Sequence, residues 1–262
     1  MNMPTTQAPH GHANKIPAIT LTFWLIKVLS TTVGETGADF FAGQTGWAPG
    51  WTLAALAGVL ALALSAQLRT RRCIDGLYWT VVVMVSVVGT QITDWLTDTW
   101  EVPLTVSTPF LAVLLGAVFL IWHRVEGSLS VRVIATPRRE VLYWSAILCT
   151  FALGTAAGDL FSEALGLGFG WSAAVFASLL ALTFAAWRAG ASSVAVFWTA
   201  YVLTRPLGAT LGDLLMQDHA HGGLNMGPLW TSGLFLTAIV ALIVGTSLRH
   251  LAPPSSRSAP TA

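Results

Sequence analysis

Apolar residues run along this chain in eight long stretches, at roughly 18–42, 50–67, 75–97, 104–123, 142–163, 171–188, 192–216 and 228–248. Short segments rich in Gly, Pro or charge separate them. A stretch of about 20 apolar residues is what one bilayer crossing requires. The stretches alternate in character. The even ones are plain runs of Ala, Leu, Val and Trp. The odd ones interleave polar positions: Lys27, Ser30, Thr31, Thr32, Glu35 and Asp39 in the first; Ser86, Thr90, Gln91, Thr93, Asp94 and Asp98 in the third; Thr150, Thr155, Asp159 and Glu163 in the fifth; Thr199, Tyr201, Thr204, Arg205, Thr210 and Asp213 in the seventh. This pattern predicts an all-α, polytopic membrane bundle of about eight helices, with polar odd helices inside and apolar even helices facing lipid.

The polar positions repeat in register. Gly34 to Asp39, Gly89 to Asp94, Gly154 to Asp159 and Gly208 to Asp213 each read Gly-x-x-x-x-Asp. Asp39 to Asp159 spans 120 positions, and Asp94 to Asp213 spans 119. The chain is therefore read as two similar halves, each of two similar hairpins, with all four repeats crossing in the same direction. The expected divisions are a disordered cytoplasmic N-terminus (1–17), a first half (18–125), a cytoplasmic linker (126–141), a second half (142–250) and a disordered tail (251–262).

Composition agrees with this reading. The chain has 262 residues, 54% hydrophobic and only 10% charged, with a mean hydropathy of +0.68. Soluble domains carry about 25% charged residues. No basic n-region precedes a short apolar run and cleavage site, so no cleaved signal peptide is expected. Of the 13 Lys and Arg residues, all but Lys27 and Arg205 lie at the N-terminus, after even stretches, or in the C-terminal tail. The positive-inside bias then places both termini in the cytoplasm. Nine of the 12 acids fall in or just beyond the outer halves of the odd stretches.

Carboxylates inside a membrane cost about 2.5–3.5 kcal/mol each on insertion scales, and their recurrence in one frame points to use. Glu35 and Asp39, Asp94 and Asp98, and Asp159 and Glu163 are each four apart, one helical turn on one face. In the fourth repeat, Gln217 stands where the second acid would be. Converging on one axis, Asp39, Asp94, Asp159 and Asp213 offer the oxygen ligands of a hard divalent cation, with Glu35, Asp98 and Glu163 as further ligands or proton carriers. Like-charged pairs of this kind share protons. Lys27 and Arg205 are the in-span bases, read as charge balance or as the grip on an anionic solute. For Thr31, Thr90, Thr155 and Thr210 the first reading is hydrogen bonding between helices. For Gly37, Gly158 and Gly212, close packing stands level with ion coordination. Pro206 predicts a kink.

Other features carry less. Asp218-His219-Ala220-His221 reads first as an ordinary polar loop, with metal capture or a pH-sensitive lid as sharper alternatives. His10 and His12 carry less still. Trp24, Trp47, Trp51, Trp79, Trp95, Trp100, Trp122 and Trp171 fit an interfacial belt. Cys73 and Cys149 read as small core residues. The motifs of a phosphate loop, a zinc protease or a serine hydrolase are missing from the sequence.

The four repeats, with Thr150 to Asp159 and Thr204 to Asp213 as Thr-x-x-x-Gly-x-x-x-Gly-Asp, resemble a bacterial group of uncharacterised membrane-anchored proteins built from tandem repeats of unknown function. The resemblance runs from about Thr20 to Arg249 and implies an integral inner-membrane protein without an assigned activity. Val85 and Thr93 depart from the pattern in the second repeat. The expectation is a cation transporter, most simply a proton-coupled exporter of a manganese- or magnesium-type ion. The alternatives are a small-anion transporter or a membrane enzyme using paired carboxylates. The expected partners are the lipid bilayer and the transported ion or solute. No nucleic-acid partner and no permanently bound cofactor is expected.

Overall fold

The computed structural model describes residues 14–132, 134 and 136–251. Eight long helices account for most of them: α1 (Leu21–Gln44), α2 (Pro49–Arg69), α3 (Asp75–Asp94), α4 (Leu104–Glu126), α5 (Pro137–Asp159), α6 (Gly168–Arg188), α7 (Ser193–Met216) and α8 (Pro228–Leu251). The apolar stretches foretold these helices to within a few residues. Six of them, α2 to α6 and α8, are long and apolar enough to cross a membrane. The other two, α1 and α7, have 24 residues each, and their charged and hydroxyl side chains dilute their hydropathy.

The odd helices form a closed ring. α1 packs against α3 and α7, and α5 packs against the same two. The repeated glycine explains the closure. A Cβ on Gly34 would collide with Ser86 of α3, one on Gly89 would lie 2.7 Å from Phe151 Cβ of α5, one on Gly154 would collide with Arg205 of α7, and one on Gly208 would collide with Thr31 of α1. In every case the partner stands three residues before its own repeat's glycine. Each helix thus seats its glycine against the same position of the next, and the fourth returns to the first. Small residues permit this approach between parallel helices. Side chains fix the register: Gln91 Nε2 donates to the Ala38 carbonyl at 3.1 Å, Thr93 Oγ1 to the Ala152 carbonyl at 3.0 Å, and Thr31 Oγ1 to the Thr204 carbonyl at 3.2 Å. α7 runs through Pro206, which lacks the N–H of one backbone hydrogen bond, and its ring packs toward Gly154.

The even helices form the outer layer, but not as hairpins with their own partners. α2 packs on α3, α4 on α5, α6 on α7 and α8 on α1, whereas α2 hardly touches α1. The sequence repeat is an odd helix and its successor, whereas the packing unit is displaced by one helix. Buried share separates the layers, at 67% and 61% for the spans of α3 and α5 against 11–28% for α2, α4, α6 and α8.

One end of the ring is aromatic. Phe23-Trp24, Tyr78-Trp79, Tyr143-Trp144 and Phe197-Trp198 recur in the frame of the glycine, ten to eleven residues before it. Their rings contact one another, and the Tyr78 and Tyr143 hydroxyls lie 2.6 Å apart. Trp79, Trp144 and Trp198 are buried, as is Trp122 of α4, packed edge-on to Trp198. The interfacial-belt reading is therefore wrong for Trp79 and Trp122, and Trp24 is also part of this cluster. It suits Trp47, Trp51, Trp100 and Trp171, which are exposed.

Two expected boundaries also change. The N-terminal segment 1–17 lies outside the described residues up to 13, but Lys15 and Ile16 are buried. Lys15 pairs with Glu140 at 2.5 Å and donates to the Leu68 carbonyl at the end of α2. The supposed linker 126–141 contains the first turn of α5 and the buried Val131 and Ile134, with the Leu129 carbonyl accepting from Trp198 Nε1. Of the tail, only Leu251 is described, as the end of α8.

Candidate functional site

At the opposite end the ring opens into a cavity of about 280 Å³. All seven acids singled out in the sequence line it: Glu35, Asp39, Asp94, Asp98, Asp159, Glu163 and Asp213. Gln217 joins them. Among the described residues, no basic side chain is part of this lining. The acids are graded in depth. Glu35 and Asp213 are buried, Asp39, Asp94 and Asp159 are half-buried, and Asp98 and Glu163 are exposed at the mouth. The volume leaves room for a hydrated ion, since a water's share of the liquid is about 30 Å³.

The repeat frame explains the layers. Asp39, Asp94, Asp159 and Asp213 stand five residues after the four glycines, on four parallel helices at one level. One turn deeper, the equivalent positions are Glu35, Thr90, Thr155 and Ala209. One turn further out they are Gly43, Asp98, Glu163 and Gln217. The i,i+4 pairs of the sequence therefore mix two different layers: Glu35 lies below the aspartate ring, and Asp98 and Glu163 lie above it.

The outer acids sit on altered backbone. After Asp94, α3 widens into a π-helical turn over Trp95–Thr99, and after Asp159, α5 does the same over Leu160–Ala164. Such turns are frequent at functional positions. They change the rotation between Asp94 and Asp98 and between Asp159 and Glu163, so the simple one-face rule does not hold there. The helices are not broken at their glycines.

The tightest cluster is not the four aspartates. One carboxylate oxygen each from Glu35, Asp159 and Asp213 lies within 4.8 Å of the others. Of the four aspartates expected to face one ion, Asp159 and Asp213 belong to this group. Asp39 and Asp94 line the wall outside that trio, with Asp39 Oδ2 facing Gln217 Nε2 at 3.5 Å. Glu35 enters the trio because it reaches up from the layer below.

The floor is a buried ion pair. Arg205 is fully buried, and its Nη2 lies 2.8 Å from Glu35 Oε2. The same nitrogen donates to Thr155 Oγ1 at 2.7 Å and to Thr90 Oγ1, while Nη1 donates to the Thr31 carbonyl at 3.1 Å. Thr90 Oγ1 donates in turn to Glu35 at 3.3 Å. One side chain of α7 thus engages α1, α3 and α5. Thr90 and Thr155 hold the guanidinium, Thr31 spans to α7, and Thr210 bonds within its own helix to the Pro206 carbonyl at 2.9 Å. Thr31, Thr90 and Thr155 thus bond between helices as expected, and Thr210 alone of the four bonds only within its own helix.

Lys27 lies deeper still. Its ammonium sits 4.3 Å from the centres of both the Phe151 and the Tyr201 ring, with no hydrogen-bond partner. It faces two ring surfaces rather than a carboxylate. Neither Lys27 nor Arg205 lines the cavity. The sequence had no means of pairing Arg205 with Glu35, 170 positions away. The aromatic pairs, by contrast, were visible in the repeat frame and were missed.

The His loop is self-contained. Asp218 Oδ1 accepts from His221 Nδ1 and from the His221 backbone, at 2.7 and 2.9 Å, and His219 Nδ1 meets the Gly223 carbonyl at 2.8 Å. The His221 backbone N–H, then its ring, hold the Asp218 carboxyl below its usual range. Cys73 and Cys149 are unpaired and only half-buried, so neither is a core residue. Burial and the neighbouring Asp75 raise the Cys73 thiol to about 12, which leaves it a weak nucleophile and metal ligand.

Fold and cavity together define a polytopic helical bundle of four parallel two-helix repeats around a carboxylate-lined axis. The family model described as Repeat of Unknown Function (DUF347) matches at residues 22–73, 77–128, 142–190 and 196–250. Each match covers one odd helix and its successor, and the chain belongs to this family. No curated protein and no solved structure matches it.

Proposed function

We propose that this protein transports a hard divalent cation of the manganese or magnesium type across the bacterial inner membrane, exporting it in exchange for protons. The observation that carries this reading is the cavity lining, where seven carboxylates gather with no basic side chain among the described residues that line it. Hard cations take oxygen ligands, and Glu35, Asp159 and Asp213 are close enough for one ion to meet all three. Asp39, Asp94, Asp98 and Glu163 form the approach and exchange protons with the outer solution.

The positive-inside bias sets both termini in the cytoplasm and turns the cavity outward. The aromatic end closes the inner side, so transport requires that end to open. The anionic-solute reading finds no support at the cavity, because Arg205 is engaged by Glu35 and Lys27 is enclosed by rings.

The test is the metal content of cells with and without the protein, complemented by wild type, Asp159→Asn or Asp213→Asn. Export predicts that manganese or magnesium accumulates when the protein is missing. Wild type lowers the content, and neither variant does. Equal contents across manganese, magnesium, zinc and nickel would end the metal reading.

A further inference from the structure

One member of the trio, Glu35, already pairs with a cation that belongs to the chain, the Arg205 guanidinium. We infer that Arg205 is the specificity-determining residue of the site: by neutralising one of the three close carboxylates it sets the charge of the ion that the cavity accepts. The inference rests on the transport reading above and adds the valence rule to it.

Glu35 is shared. Its Oε2 is bound to Arg205 at 2.8 Å, and one of its oxygens lies within 4.8 Å of Asp159 and Asp213 oxygens. Arg205 is fully buried, held by Thr90, Thr155 and the Thr31 carbonyl besides Glu35. It cannot lose its charge under physiological conditions. Three ionised carboxylates with one guanidinium carry a net charge of −2, which one divalent ion neutralises. Without the guanidinium the same ligands carry −3 and favour a trivalent ion. Lys27 does not perform this task, because it contacts aromatic faces rather than any member of the trio. The other four cavity acids are the same in every variant compared below, so they cancel from the comparison.

The size of the effect follows from Coulomb's law. A unit charge about 5 Å away, at an effective dielectric near 20, separates ions differing by one charge by up to about two orders of magnitude.

The experiment measures Tb³⁺ and Mn²⁺ affinity of the purified full-length protein by terbium luminescence and competition. The readout is the Tb³⁺/Mn²⁺ affinity ratio. Arg205→Gln raises it tenfold or more, while Arg205→Lys and Lys27→Met leave it within threefold of wild type. Glu35→Gln, which lowers the net charge to −1, reduces it tenfold or more. The double variant Glu35→Gln/Arg205→Gln restores −2 and returns the ratio to within threefold of wild type. The double removes both buried charges together, so it and Glu35→Gln decide the matter even if Arg205→Gln does not fold. An unchanged ratio in Arg205→Gln, or a double variant displaced tenfold, overturns the valence rule while leaving cation transport standing. Absence of both Tb³⁺ and Mn²⁺ binding to wild type removes the cation reading itself.

Discussion

The two ends of the inner ring are made by the same four helices, yet one is an acid-lined opening and the other a plug of aromatic rings. The aromatic end keeps its fourfold pattern almost intact: a Phe or Tyr followed by Trp in every repeat. The acid end keeps fourfold identity only at the glycine and the aspartate. Around them the repeats diverge, to Thr31, Ser86, Phe151 and Arg205 below the glycine and to Glu35, Thr90, Thr155 and Ala209 just above it. The comparison separates two demands. Closing a ring of helices needs the same small residue and similar bulk at every joint. Binding a single ion on the axis permits unequal contributions, and here Glu35 and Arg205 each occur in one repeat only. The repeated glycines and aromatic pairs therefore mark the architecture, and the divergent positions modify the chemistry that the repeated aspartates begin.

Substitutions at either end sharpen this division. The largest effect is expected at the joints both ends share. Gly89→Val places a side chain against Phe151 and the Ala152 backbone, where even a Cβ would lie 2.7 Å from Phe151 Cβ. The ring should not close, with a loss of about 3 kcal/mol or more from overpacking and no monodisperse protein by size-exclusion chromatography. Gly58→Ala on the outer layer, where nothing lies within 4 Å, should behave as wild type.

At the aromatic end, Trp144→Ala should cost about 3–5 kcal/mol, seen as a lower melting temperature, with Mn²⁺ affinity unchanged. A tenfold change in affinity would show that the two ends are not separable.

At the floor between them, Arg205→Met should cost a similar amount, about 3–5 kcal/mol, because it strands Glu35 as a buried unpaired charge. Glu35→Gln/Arg205→Met should recover more than half of the loss. If the double is as unstable as the single, the pair is not what holds the floor.

In the cavity proper, Asp213→Asn should leave the melting temperature unchanged or raise it by relieving repulsion, while Mn²⁺ affinity by calorimetry falls tenfold or more. The smallest effect belongs to the mouth: Asp98→Asn, exposed and outside the trio, should change affinity less than threefold. Equal losses at Asp213 and Asp98 would remove the graded-depth account of the cavity.

Much of this was legible along the chain. Eight apolar stretches gave eight helices because hydropathy and helix length are local properties. The Gly-x-x-x-x-Asp frame gave a common level to the four aspartates because parallel repeats of one length preserve depth. The alternation of polar and apolar stretches correctly separated the inside from the outside. The aromatic pairs belong to the same frame, but a Trp near a span end has the same sequence signature whether it is an interfacial anchor or a core residue. Only packing distinguishes Trp79, buried among Phe23 and Tyr78, from the exposed Trp51.

What the sequence determined by itself was the set of helices, their polarity and the level of each charged residue, since all of these follow from the 3.6-residue period within one segment. The tertiary structure alone decided the order of the ring, the seating of each even helix on the next repeat, and the partners of the charges. Glu35 meets Arg205 from 170 positions away, and Lys27 meets two rings instead of a carboxylate. No period within a helix encodes such meetings. They depend on which glycine admits which neighbour, a contact between distant segments that exists only once the ring has closed.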